Sequence, residues 1–249
     1  MLRALAAEFT KLKRSSLPLW TALTVLLAPM LSNVFVVAQE SGPITVQWTE
    51  FFALASMTMG TWYGFLLFGL VTSFVFGREY GEGVAPSLLT VPTRREYFVL
   101  AKLVVVAAWI LMLALLALLS QAAAATLIGL DGFTWSSLWS TTRDVLTVTL
   151  LVFLTQPLVA LVAVTSRGVF APMIFSAFGF SAGMIGGIAG WGDWLPWAMP
   201  AAIGGTFLGS VLPAEPGGLT AGSWIIAVGL FAVGLAATLL WVNRADSRG

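Results

Sequence analysis

The chain has 249 residues, 59% of them hydrophobic and only 9% charged, with a mean hydropathy of +0.95. Soluble globules carry roughly 25% charged residues, so this composition excludes one and requires an integral membrane protein. The net charge of +1 says little by itself, because the information lies in where the charges stand.

Residues 1–17 open with Leu2, Leu5, Phe9 and Leu12 at three- and four-residue spacing, while Arg3, Glu8, Lys11, Lys13 and Arg14 fall largely elsewhere around the wheel. That pattern predicts an amphipathic elbow helix in the headgroup plane. Pro18, after Ser15-Ser16, turns the chain into the first span. Six apolar runs follow, near residues 18–39, 51–76, 98–129, 144–165, 169–190 and 223–242. A helical crossing needs about 20 apolar residues and a membrane β-strand about 9–11, so runs of this length predict an all-α protein with six transmembrane helices. The first run imitates a signal peptide, with Val36-Val37-Ala38 before Gln39. It is longer than the roughly 7–15 residues of a signal core, so an uncleaved span is expected.

Between the second and third runs lies the segment richest in charge, GREYGEGVAPSLLTVPTRREYFVLAK from Gly77 to Lys102. Glu79, Glu82, Arg94, Arg95 and Glu96 supply mixed charge, and Val84, Leu88, Leu89 and Val91 supply apolar contact, with Gly81, Gly83, Pro86 and Pro92 as punctuation. A docking element over residues 77–97 fits this chemistry. Arg78 and Lys102 also suit plain anchoring of span ends at lipid headgroups.

Arginine and lysine set the orientation. Eleven of the twelve stand in alternate gaps: Arg3, Lys11, Lys13, Arg14, Arg78, Arg94, Arg95, Lys102, Arg167, Arg244 and Arg248. The opposite gaps hold only Arg143, beside Glu40, Glu50, Asp131, Asp193 and Glu215. The positive-inside rule therefore places both termini and the 77–97 loop in the cytoplasm.

Without cysteine or histidine there is no thiol nucleophile, disulfide, imidazole base or His-ligated metal. The acidic residues stand at span ends or in loops, so neither a buried carboxylate pair nor an ion-coupling relay is expected. Gln121 and Gln156 are among the neutral polar groups inside spans. No G-x-x-x-x-G-K-[ST] phosphate loop is present, so any ATPase is another polypeptide.

An elbow helix, six spans, a loop reading E-Y-x-x-G…L-L-x-x-P-x-R-R…K after the second span, and a Pro/Gly-rich segment before the last span resemble permease subunits of type-2 ABC transporters. The resemblance is greatest to the small permeases of bacitracin and lantibiotic self-protection exporters. It implies a single permease domain over 1–249 whose coupling region, with Glu79, Gly83, Leu88, Leu89, Pro92, Arg94, Arg95 and Lys102, contacts a separate ATP-binding subunit. Arg167, in the turn Ser166-Arg167-Gly168, would be a minor second contact or an orientation marker. The resemblance also implies a permease homodimer or a pairing with a close relative, a bacterial cell membrane, and ATP with Mg held by the partner rather than by this chain. Membrane lipid is a further expected partner and nucleic acid is not.

Residues 191–222 carry Trp191, Trp194, Trp197 and four prolines around the apolar stretch from Ala198 to Leu212, which is too short to span. An extracellular re-entrant segment fits, as does an aromatic belt at the interface. A cargo path for amphipathic or hydrophobic molecules, a peptide antibiotic or a lipid-like compound, is suggested by Met57, Thr61, Trp62 and Tyr63 on the second span and Phe175 and Phe178 on the fifth. Helix packing explains the same residues, and Gly179, Gly183 and Gly186 suit close helix approach. The alternative function is a membrane scaffold or assembly subunit for an enzyme or sensor, without a transport path.

Overall fold

A computed structural model describes residues 2–38, 47–81, 95–204 and 219–244. Every regular element among them is helical: α1 (Leu2–Lys13), α2 (Leu17–Ala38), α3 (Trp48–Thr58), a π-helical segment (Met59–Leu67), α4 (Phe68–Gly81), α5 (Arg95–Ile128), α6 (Trp135–Ser166), α7 (Phe170–Ile188), α8 (Met199–Gly204) and α9 (Ala221–Arg244). The π segment joins α3 and α4 into one continuous rod. Four helices among the described residues are long and apolar enough to cross a membrane, over Glu96–Ile128, Trp135–Ser166, Phe170–Ile188 and Ala221–Arg244. They coincide with the runs expected at 98–129, 144–165, 169–190 and 223–242. The run expected at 18–39 falls on α2, apolar over Leu17–Leu27, and that at 51–76 lies inside the α3–α4 rod.

Local chemistry sets the helix ends. Helix α6 begins earlier than the expected 144 because Thr134 caps it, its hydroxyl accepting the Ser137 N–H at 3.2 Å. Gln47 and Glu50 form a capping box at the start of α3, and the Trp48 N–H donates to the Asp131 carbonyl at 2.8 Å. At its far end α6 stops at Arg167, whose φ of 54° is left-handed; Gly168 follows and lets the chain turn at once into α7.

Helix α6 is the central post, packed against α3, the π segment, α4, α5, α7, α8 and α9. Val145, Val148, Val152, Ala160 and Ala163 are buried along it. Pro157 removes one rung of its hydrogen-bond ladder. Gly234 brings α9 close at that level, and Thr238 Oγ1 lies 3.2 Å from the Pro157 carbonyl oxygen. Helix α2 is strapped to α5 by Trp109 Nε1, which donates to Thr21 Oγ1 at 3.2 Å, and by Ser120 Oγ, which donates to the Leu26 carbonyl at 2.6 Å.

The bundle has two chemically distinct ends. One gathers α1, the end of α4, the start of α5 and the α6–α7 turn, and is the charged end. The other carries exposed Trp135, Trp139, Trp191 and Trp194, the distribution of an aromatic belt.

The glycines of α7 admit chiefly the chain that follows it, and Gly183 also lies against the Phe65 ring of the π segment. A side chain on Gly183 would meet the Trp197 carbonyl, one on Gly179 the Trp197 ring and one on Gly186 the Leu195 side chain. Helix α1, moreover, does not turn a purely apolar face inward. Phe9 is half exposed, whereas Glu8 is 1% exposed, because the inner face has charged partners to meet.

Candidate functional site

Those partners form a buried ion cluster at the base of the α4–α5 connection. The i,i+3 spacing of Glu8 and Lys11 puts both on one face of α1, where they pair at 2.7 Å. The Lys11 ammonium also donates to Glu79 Oε1 of α4 at 2.5 Å. Glu79 Oε2 stands 3.0 Å from Lys102 Nζ of α5, and Lys102 donates a further bond to the Val75 carbonyl at 2.6 Å. Arg78 Nη2 faces Glu8 Oε2 at 3.5 Å without a hydrogen bond, so that pair is held by charge alone. Phe74 lies under the Arg78 guanidinium at 5.1 Å and Phe76 under the Lys102 ammonium at 5.6 Å.

Glu8, Arg78, Glu79 and Lys102 are all buried. Isolated charges there would each cost several kcal/mol of desolvation, so their shared contacts are what permit the burial. Burial pulls the Lys11 pKa down, but hydrogen bonds to Glu79 and Glu8 outweigh it and leave the pKa above the ordinary lysine value. Glu79 stands beyond the apolar run that ends at 76. Burial pushes its pKa up, and the charges of Lys102 and Lys11 overcome that and hold the carboxyl below its ordinary value. Both groups are therefore charged at neutral pH, and their contacts make the cluster a tie between helices. It joins α1, α4 and α5, three elements distant in sequence.

Glu8 and Glu79, both outside the six apolar runs, are nevertheless buried and share Lys11. The anchoring of Arg78 and Lys102 at headgroups is corrected, since both side chains lie inside the protein. Glu8 and Lys11 were the residues that sequence reasoning missed. Their signal was an opposite-charge i,i+3 pair on an amphipathic helix, which also fits a solvated face.

Other predicted residues distribute as follows. Glu82, Leu88, Leu89 and Arg94 lie outside the described residues. Arg95 begins α5, with its side chain outside them, and Glu96 is exposed on the first turn of that helix, where the helix dipole favours an acid. Arg167 is exposed on the α6–α7 turn. That turn docks on the cluster's own helix: a side chain at Gly77 would collide with the Gly168 carbonyl, and the Arg167 charge is felt at Tyr80. The fold thus sets the α6–α7 turn against the described end of α4.

Of the cargo-path candidates, Tyr63 is half-buried in the π segment, while the side chains of Met57, Thr61 and Trp62 lie outside the described residues. Phe175 meets Trp197 edge-on at 6.3 Å. Phe178 is 64% exposed and faces away from the bundle. Phe65 and Phe180, with Gly60, Gly183, Met184 and Trp197, line a cavity of about 10 Å³, close to the room one water needs. Lower in the rod, Thr72 Oγ1 donates to Gln156 Oε1 at 2.7 Å. Gln121 is buried without a hydrogen-bond partner.

Residues 4–183 match the family described as ABC-2 family transporter protein, a match that covers the cluster, the rod and the α6–α7 turn. The chain belongs to that family. This ABC-2 protein is also 33% identical over 69 residues to the bacitracin transport permease protein BCRB of Bacillus licheniformis. The aligned stretch covers 28% of this chain and 33% of that relative. Membership makes the chain a membrane transport component.

Proposed function

We propose that the chain is the permease subunit of an ATP-driven exporter that moves amphipathic or hydrophobic cargo, a peptide antibiotic or a lipid-like molecule. ATP with Mg is hydrolysed on a separate ABC-type subunit. The observation that carries this reading is the family match over residues 4–183; the bacitracin permease likeness supports the cargo class.

In this reading α2 and the α3–α4 rod cross the membrane with the four helices named above, which makes six spans in the bacterial cell membrane. Both termini and the charged end face the cytoplasm, as the arginine and lysine distribution requires. Helix α1 is the elbow helix. The segment beyond Glu79, with Glu82, Leu88, Leu89, Arg94, Arg95 and Glu96, docks on the ATPase, assisted by Arg167. The short helix α8, whose Pro200 carbonyl lies against Gly60 as that of the preceding Trp197 lies against Gly183, belongs to the re-entrant segment on the outer side. Two permease chains, identical or closely related, work with two ATPase chains.

Glu79 enters this scheme as a positioning residue. Facing inward onto Lys11 and Lys102, it holds the root of the docking segment against α1 and α5, so a push on the segment reaches both helices at once. The test is purification of the tagged full-length chain in mild detergent, with mass spectrometry of bound proteins and an ATPase assay. A stoichiometric P-loop ATPase, released by Arg94→Ala with Leu88→Ala in a chain that still inserts, is the expected result. A lone chain, or one retaining only a non-ATPase partner, would replace the transporter with a scaffold.

A further inference from the structure

The rod formed by α3, the π segment and α4 is continuous, yet its middle is wound differently from its ends. Over Met59–Leu67 the backbone is π-helical for nine residues. π turns are rare, usually single, and concentrate at functional sites, because a wider turn forfeits packing around its own axis. One this long persists only where neighbours and side-chain choice hold it.

Gly64 is the residue that admits it. A side chain there would strike the Met59 carbonyl, five residues back, as well as Val152 of α6. The clash with the fifth preceding carbonyl lies within the π segment. Gly60 has the Pro200 carbonyl of α8 only 3.0 Å from the place its side chain would occupy. The segment therefore lies bare-backboned against α6 and α8, and the small cavity lined by Gly60, Phe65, Phe180, Gly183 and Trp197 opens beside it.

Both ends of the rod are tied. Below the segment, Gly69 abuts Ser176 of α7, Thr72 bonds Gln156, Gly77 meets Gly168, and Glu79 is locked to Lys11 and Lys102. Above it, the Trp48 N–H is bound to the Asp131 carbonyl, and the Trp48 ring meets Phe133 edge-on at 4.9 Å. Between fixed ends the surplus winding cannot vanish, but it can move along the rod. Each residue that the wide turn passes is re-aimed by one helical step, about 100° around the axis.

We propose that Met59–Leu67 is a sliding π joint, whose displacement along the rod turns Tyr63 and its neighbours toward or away from α7 while α4 and its ion cluster stay in place. Gly64 sets the resting position of the joint. Its use in transport, presenting different side chains to cargo in successive states, rests on the permease reading above; the joint itself does not.

The chain contains no cysteine, so spin labels on introduced cysteines report without background. One pair, Leu66→Cys with Phe178→Cys, spans the joint and α7. A control pair, Phe178→Cys with Leu240→Cys, spans α7 and α9, which the proposal leaves fixed. In nanodiscs without any partner, Gly64→Ala should displace the first distance distribution by up to about 8 Å, the sweep of a side-chain tip through one step, and leave the control unchanged. A folded Gly64→Ala chain with both distributions unchanged would overturn the joint. Should that variant fail to insert, amide exchange of the wild-type chain decides. Faster exchange over Met59–Leu67 than over α4 supports the joint, and equal protection refutes it. Adding the co-purified ATPase with ATP and vanadate should move the first pair alone. Absence of any ATPase would remove the transporter reading, while the partner-free arms still judge the joint.

Discussion

The Lys11 ammonium donates to Glu79 Oε1 at 2.5 Å, although 68 residues separate the two in sequence. Lys11 belongs to a short helix outside the long bundle helices and Glu79 to the last turn of the α3–α4 rod. Their contact closes the charged end of the molecule. Because Glu79 also meets Lys102, one carboxylate serves cations from two helices.

Glu79→Ala should therefore be severe. It leaves Lys102 buried without its carboxylate, and breaking a buried ion pair from one side costs about 3–5 kcal/mol. A clearly lowered thermal midpoint in detergent is expected. Replacing both partners, Glu79→Met with Lys102→Met, should recover most of that loss, since a packed apolar pair can match a buried ionic one. Equal damage in the single and double variants would show that the pair does not act as a unit.

The pH dependence has two limbs. The Glu79 pKa is lowered by folding, so its stabilisation is present above the ordinary carboxylate value of about 4.3 and is lost as pH falls through the lower folded value. The Lys11 pKa is raised, so its share is complete below the ordinary lysine value of about 10.4 and is lost as pH rises through the higher folded value. Thermal midpoints should fall on the acid side of the first limit and on the alkaline side of the second. Glu79→Gln should flatten the acid limb and lower the plateau, and an acid limb as steep as in the wild type would assign it to other carboxyls.

Gly77→Ala places a methyl group against the Gly168 carbonyl, and backbone on both sides cannot rotate away. An overpacking cost of about 1–3 kcal/mol is expected, together with a changed ATPase rate in the assembled transporter, because the turn carrying Arg167 moves off α4. Gly168→Ala is the informative comparison. Its own side-chain position has only the Ser166 carbonyl near, at 3.9 Å, so it should be the milder variant in both assays.

Thr72→Val removes the hydroxyl that meets Gln156 Oε1 inside the bundle. The stranded amide oxygen should cost about 1–3 kcal/mol. Adding Gln156→Leu removes the stranded group and should restore part of the midpoint. A double variant less stable than Thr72→Val alone would mean that the Gln156 bond to the Val152 carbonyl matters more than the bond to Thr72.

Much of the architecture was legible in the chain because hydropathy is a local property. The runs near 98–129, 144–165, 169–190 and 223–242 reappear as α5, α6, α7 and α9 since bilayer thickness and backbone hydrogen bonding leave an apolar run of that length little alternative. The Thr134 cap moved one boundary by a short-range hydrogen bond that hydropathy does not register.

Pairing was not legible. Nothing in the spacing of Arg78, Glu79 and Lys102 distinguishes headgroup anchors from a buried cluster, and Glu8 and Lys11 fit a wet helix face equally well; only the docking of α1 on α4 and α5 made them partners. Phe178 and Phe180 are the same residue type two positions apart, yet one faces outward and the other lines the cavity with Phe65. The π segment meets Pro200 at Gly60 and Val152 at Gly64, neighbours that only the tertiary structure supplies. Composition and charge placement by themselves determined that the chain is a helical membrane protein and which ends of its helices are basic. Tertiary structure decided which charges neutralise one another and which glycines carry contacts, because both depend on faces meeting across the bundle, a relation that no single stretch of sequence contains.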